Sequence, residues 1–233
     1  MCGRFALSSL PIPLLEAFGL SGPKVRPRYN IAPGQWTPVI LRDPERGETL
    51  LDSVFWGLTP FWMRERGRGF VNARAETAAD KPSFRASFRH RRCLVPATGF
   101  YEWLREGRGK TPFYFCPAEP DRPLAFGGLW EDWSGVGETL RSFAILTTAA
   151  NGTMSPIHDR MPVILEPESW ERWLDPELQH PKTLAPFLAP AADSLLVCRQ
   201  VSPFVNSVAN DSPDCVSPVE DGQGLPFADR REK

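Results

Sequence analysis

No stretch of the 233-residue sequence approaches the ~18 consecutive apolar residues that a membrane-spanning helix requires. A secretory leader is missing too: Arg4 supplies a basic residue near the start, but no apolar core of ~7 to 15 residues and no small-residue cleavage site follows. These absences predict a soluble protein with no membrane partner that stays in the cytoplasm, at the nucleoid if the source is bacterial. The cysteines (Cys2, Cys93, Cys116, Cys198, Cys215) are five, an odd number whose spacing matches neither a disulfide framework nor a zinc pattern. Reduced thiols are expected. Histidine is scarce, and His90, His158 and His180 are not at helical ligand spacing, so neither a metal nor a cofactor is expected. Repeats and low-complexity segments are also lacking.

Proline is abundant: 25 of 233 residues, against a usual ~5%, which excludes long helical bundles. Hydrophobic residues at 42% and charged residues at 24% are globular averages, so wholesale disorder is excluded. The net charge of −1 conceals an asymmetry. Residues 1–114 carry 18 Lys and Arg against 10 Asp and Glu, and the remainder carries 9 against 18. Nine of the basic residues lie between Arg64 and Arg92, a stretch able to meet a polyanion. The alternative is that the two halves fold together and neutralise one another.

Short runs rich in aromatic and β-branched residues predict strands at 4–7, 37–41, 50–56, 93–95, 112–115, 124–129, 142–147, 162–165 and 195–201. Helical patterns are fewer, at 11–18, 83–88 and 168–174. Segments 43–47, 106–109 and 134–137 read as hairpin turns. The fold class expected is α+β: one β-rich domain over residues 1–221, with mixed or antiparallel strands in a barrel-like core and a few short helices. From Gly222 the pattern is lost, as in a loosely held tail over 222–233.

Cys2 is the most informative residue. Removal of Met1 would leave a terminal cysteine whose α-amine and thiol titrate near ~7.7 to 8.0 and ~8.5, so both are partly reactive at neutral pH. Such an aminothiol suits carbonyl chemistry, because the amine forms a Schiff base and the thiol closes a thiazolidine ring on it. The bland alternative is an incidental cysteine beside the start. Three other polar groups stand in apolar or constrained contexts. Asn72-Ala73-Arg74 follows an apolar pair and could project an amide and a guanidinium into a cleft. Gly99-Phe100-Tyr101-Glu102-Trp103 sets a carboxylate among three aromatics, a context suited to a general acid. His158 lies between prolines with charged neighbours that can set its tautomer. Taken singly, Asn72 could cap a turn, Glu102 could pair with an arginine, and His158 could be a satisfied loop residue.

Together these segments resemble one family. Met1-Cys2-Gly3-Arg4-Phe5, Tyr29-Asn30-Ile31-Ala32-Pro33, Trp56-Gly57-Leu58, 72–77, 92–103, 157–162 and 201–206 stand in the order of the SOS response-associated peptidase (SRAP) family. The resemblance implies recognition of abasic sites in single-stranded DNA, followed by a covalent crosslink that shields the lesion in the DNA damage response. It implies AP lyase activity as a side reaction, with peptidase-like activity confined to N-terminal self-processing. By the same resemblance Cys2 is the crosslinking nucleophile, Asn72 positions its amine, Glu102 is acid and base, and His158 assists proton transfer. Arg4 and Arg74 match phosphate-binding positions, and Asn30, Pro33 and Trp62 match DNA-contacting ones. The partner implied is single-stranded DNA with abasic sites, with replication-fork proteins as candidates beside it, bound by a monomer. Competing readings are an N-terminal-cysteine amidotransferase, a thiol peptidase using Cys2 and His158, and a non-catalytic single-strand binding module built on Arg64 to Arg92.

Overall fold

The computed structural model describes residues 2–219 except positions 23, 24, 44, 45, 108 and 136, so the expected C-terminal tail lies outside the described residues. Its strands are β1 (Phe5–Leu7), β2 (Arg28–Ile31), β3 (Trp36–Arg42), β4 (Thr49–Trp56), β5 (Asn72–Arg74), β6 (Arg92–Ala97), β7 (Gly99–Glu106), β8 (Gly109–Pro117), β9 (Leu124–Gly135), β10 (Glu138–Ala149), β11 (Arg160–Pro162) and β12 (Leu196–Gln200). Short helices α1 (Ile12–Glu16), α2 (Ala75–Ala78), α3 (Arg85–His90), α4 (Trp170–Leu174) and α5 (Pro181–Leu184) lie between them. The longest described helix has six residues, as the proline content requires. No described helix is long and apolar enough to cross a membrane.

Strands β4, β3, β6, β9 and β10 form a closed barrel, because β10 pairs antiparallel with β9 and parallel with β4. The five-stranded sheet β12-β8-β7-β1-β2 packs against it. Alternation explains the layering. Along β3, β6 and β10, Val39 and Leu41, Cys93 and Val95, and Phe143 and Ile145 join the cluster that also receives Phe5, Phe100 and Phe115 from the five-stranded sheet. The intervening Ile40, Leu94, Ala144 and Leu146 face Leu14, Phe88, Trp170 and Trp173 beneath the helices. A strand covered on both faces must be apolar throughout, and these are. The other face of the five-stranded sheet carries Ala6, Tyr101 and Tyr114 under the segment from Val201 to Cys215.

The three expected turns join β3 to β4, β7 to β8 and β9 to β10, with Arg42 opposite Thr49, Glu106 opposite Gly109 and Gly135 opposite Glu138. Strand 162–165 is corrected to Arg160–Pro162, followed by a single bridge between Phe126 and Ile164. Strands β2 and β7 were not among the expected runs, and the strand expected to end at Phe70-Val71 is instead β5 over Asn72–Arg74: Asn, Gly and Glu have low β-propensity, and cross-strand pairing supplies what the local sequence does not.

Charge also resolves in the fold. Arg28 pairs with Asp211, Arg66 with Glu138, and Arg91 with Glu131, so basic side chains of the first half meet acidic ones of the second. The stretch from Arg64 to Arg92 is therefore not one groove. Arg92 is buried, its guanidinium donating to the carbonyls of Trp173 at 2.6 Å, Phe88 at 2.8 Å, Arg89 at 2.7 Å and Asp175, with burial pushing its pKa down to about 10. Of the basic residues in that stretch, Arg74 is the one that lines the cleft described next.

Candidate active site

Residue 2 is placed by β1, a short inner strand held between β2 and β7. The amide of Tyr101 donates to the carbonyl of Arg4 at 3.0 Å and continues the β1–β7 pairing toward the N-terminus, which brings Glu102 alongside. Asn72 and His158 approach from the barrel. Asn72 opens β5 opposite Ile145 of β10, and its Nδ2 donates to the Cys2 carbonyl at 2.9 Å, a bond that crosses from one sheet to the other. The Oδ1 of Asn72 is buried, with no hydrogen-bond partner among the described residues. The cysteine and carboxylate of one sheet and the amide and imidazole of the other thus converge where the two sheets meet.

His158 sits at the end of a braced loop, 150–159, between β10 and β11. The Asn151 side chain donates to the carbonyls of Ala191 and Ala192 at 3.1 and 3.3 Å and accepts from the Met154 amide at 3.0 Å, while Met154 and Ile157 are buried in the core. The His158 amide donates to the Met154 carbonyl at 3.1 Å. Its Nδ1 lies 3.0 Å from the Arg160 amide and 2.9 Å from an Asp159 carboxylate oxygen. An amide only donates and a carboxylate only accepts, so Nδ1 meets a fixed donor in the Arg160 amide and an acceptor in the exposed Asp159 carboxylate.

Glu102 is buried, and the aromatic setting expected for it is only partly present. Successive side chains of a strand face opposite ways. Phe100 therefore shares Glu102's inward side, whereas Tyr101 and Trp103 pack on the outer face of the sheet. The thiol differs more. Cys2 has no exposed surface, and burial first, then the negative charge of Glu102, pushes its pKa far above the ordinary thiol value. The near-normal thiol expected from the sequence is corrected for that reason, and a peptidase needing a resting thiolate at Cys2 is disfavoured.

A cleft of about 700 Å³ opens beside these groups, lined by the cations Arg4, Arg74, Arg105, Lys110 and Arg160, the carboxylates Glu102 and Asp159, and by His158, Trp103 and Asn206. Arg160 is tied down by a two-pronged pair with Glu76 at 2.6 and 2.9 Å. Arg4 is aimed by its surroundings: one guanidinium nitrogen donates to Asn30 Oδ1 at 2.7 Å and to the Val205 carbonyl at 3.0 Å, and the group lies 5.6 Å from the Trp103 ring. The DNA-contact role expected for Asn30 is corrected. Its side chain is fully buried, with Nδ2 donating to the carbonyls of Val205, Ser207 and Asn210, so it holds Arg4 instead of facing a ligand. Pro33 is exposed at the turn between β2 and β3, and Trp62 is 53% exposed; neither lines the cleft. Trp103, Arg105, Lys110, Arg160 and Asn206 do line it, and the sequence reading did not single them out for a ligand. Two of them, Arg105 and Lys110, are basic residues flanking the expected 106–109 turn. No group of residues fit to hold a metal ion occurs among the described residues.

A buried cysteine lies at the seam of two sheets, close to a carboxylate and an imidazole that line a cleft rich in cationic side chains. Residues 1–208 match the description "SOS response associated peptidase (SRAP)", and the chain belongs to that family. It is 38% identical over 224 residues to the abasic site processing protein YoqW of Bacillus subtilis (strain 168), covering 93% of this chain and 99% of that one. Identity is 34% over 230 residues to the abasic site processing protein YedK of Escherichia coli (strain K12), with 94% and 100% covered. It is 33% over 231 residues to the abasic site processing protein HMCES of Gallus gallus, with 85% and 68% covered. A solved structure of a protein from Bacteroides thetaiotaomicron superposes with a TM-score of 0.81 at 28% identity, over 94% of this chain and all of that one.

Proposed function

We propose that this protein recognises abasic sites in single-stranded DNA and bonds to them through Cys2. The observation that supports this most directly is the amide of Asn72. One end holds the Cys2 carbonyl at 2.9 Å, and the other is a buried acceptor with no partner among the described residues, a group suited to accept from an α-amine at residue 2. A family of proteins named for abasic site processing fits the same reading.

The chemistry then runs in balanced steps. Removal of Met1 first frees the α-amine of Cys2. Glu102 protonates the ring oxygen of the closed abasic sugar as it opens to the aldehyde. The freed amine, oriented by Asn72 Oδ1, adds to C1′, and the carbinolamine loses water with a proton supplied by His158 or Glu102, giving a Schiff base. The thiol adds to the imine carbon while its proton passes to the imine nitrogen, and a thiazolidine results with one water lost overall. A buried, protonated thiol suits this order, because it delivers both sulfur and proton once the imine has formed. If the imine persists, abstraction of a C2′ proton breaks the strand, which is the lyase side reaction.

The test is intact mass after mixing the protein lacking Met1 with a single strand holding one abasic site. The expected product weighs the sum of the two less one water. An N-terminally extended variant that reacts at the native rate would overturn the aminothiol mechanism.

A further inference from the structure

Arg105 and Lys110 face each other directly across the β7–β8 hairpin. Like charges in opposed positions of an antiparallel pair repel, so this arrangement works against the fold. Both side chains are exposed, both line the cleft, and neither is in an ion pair among the described residues. Strand geometry fixes their direction. Arg105 shares the outer face of β7 with Trp103 and Tyr101, and Arg4 lies over Trp103 at 5.6 Å on that same face. Arg4, Trp103 and the Arg105–Lys110 pair therefore form a row. Four strand residues, about 13 Å, separate its ends, since the Arg4 carbonyl accepts from Tyr101.

We propose that the outer face of the β7–β8 hairpin is a second binding site for nucleic-acid backbone phosphates, along the same cleft that Arg4 and Arg74 line. It holds the strand that continues away from the sugar engaged at Cys2. An anionic backbone crossing the row relieves the Arg105–Lys110 repulsion, which favours the bound state over the free one. This rests on the function proposed above in its choice of nucleic acid as the ligand.

The test uses the Met1-free protein, the Arg105→Ala/Lys110→Ala double variant, and two probes. One is a long single strand carrying a tetrahydrofuran abasic analogue, which has no aldehyde and reports binding alone; the other is the true abasic strand, which reports adduct formation. Each phosphate contact on a single strand contributes about 0.7 to the slope of log affinity against log salt. The double variant is expected to lower that slope by about 1.4 and to bind the long analogue roughly ten-fold more weakly at low salt. On a strand cut to one nucleotide either side of the lesion, native and variant should bind alike. Thermal unfolding separates a structural role, because loss of a repulsive pair leaves the midpoint unchanged or raises it. An unchanged salt slope, or an equal loss on the shortened strand, overturns the second site. A native protein that binds the analogue with the expected slopes yet forms no adduct overturns the crosslinking function and leaves the hairpin site standing.

Discussion

Two loops leave the barrel beside β10 and return to pair with it, and they are built in opposite ways. Loop 150–159 is braced from within. Met154 and Ile157 are buried, the Asn151 side chain makes three hydrogen bonds, and the Gly152 amide donates to Asp193 at 2.6 Å. Loop 57–71 is braced at its neck. Leu58 and Phe70 exchange hydrogen bonds of 3.0 and 2.8 Å, and Gly69, at φ +69°, lies so close to Gly57 that a Cβ there would sit 2.3 Å from the Gly57 oxygen. Beyond the neck, Phe61 and Trp62 are 55% and 53% exposed, held by a Trp133 bond to the Met63 carbonyl and the Arg66–Glu138 pair. A group that transfers a proton must stay within hydrogen-bond reach of its target, which the first design secures. A group that stacks on a base needs only a free face, which the second provides.

The largest effect is expected at Cys2, which neither loop supplies. Cys2→Ser keeps the amine and loses the ring-closing thiol, so the stable adduct should disappear, leaving a Schiff base trapped only by borohydride and some strand cleavage. Denaturing gels with and without reductant decide it. Next comes Glu102→Gln, expected to slow single-turnover crosslinking by ~10² to 10⁴ with little change in binding. His158→Ala should slow the same step, and the double variant should lose less than the product of the two.

Stability measurements sharpen the comparison. Met154→Ala empties a core site under the braced loop, so it should cost ~2 to 5 kcal/mol in urea unfolding and slow crosslinking, because His158 loses its support. Trp62→Ala should separate the two effects: below ~0.5 kcal/mol in stability, as for an exposed side chain, and ~1 to 3 kcal/mol in affinity for single-stranded DNA if a base stacks there. A Trp62 variant with unchanged affinity would leave the exposed loop without a ligand-binding part. The smallest effect is kinetic. With its pKa raised by burial and by Glu102, the Cys2 thiol stays protonated through neutral and mildly basic pH. Iodoacetamide should therefore leave it unmodified at pH 8, and the rate should rise only at strongly alkaline pH or on unfolding.

Much of the framework was legible because its signals are local. Turn residues between apolar runs marked all three hairpins, proline density limited helix length, and the ordered motifs around Cys2, Asn72, Glu102 and His158 named the residues that meet at the seam. Strand β7 escaped notice because its glycine and glutamate disfavour strand locally, and its pairing with β1 and β8 overrides them. Asn30 and Arg92 were misjudged for a related reason: a polar side chain in sequence carries no mark of whether water or backbone carbonyls will satisfy it.

The amino-acid sequence by itself determined the family and the β-rich class, since these depend on residue type and order. Once pairing made β7 a strand, period-two alternation turned Glu102 and Trp103 to opposite faces. Only the tertiary structure decided which way was inward. Stacking the five-stranded sheet on the barrel buried Cys2 and raised its thiol, turned Glu102 toward it, and left Trp103, Arg105 and Lys110 on the outer face. Burial and electrostatic contact depend on distances between segments far apart in the chain, and those distances exist only after the sheets have packed.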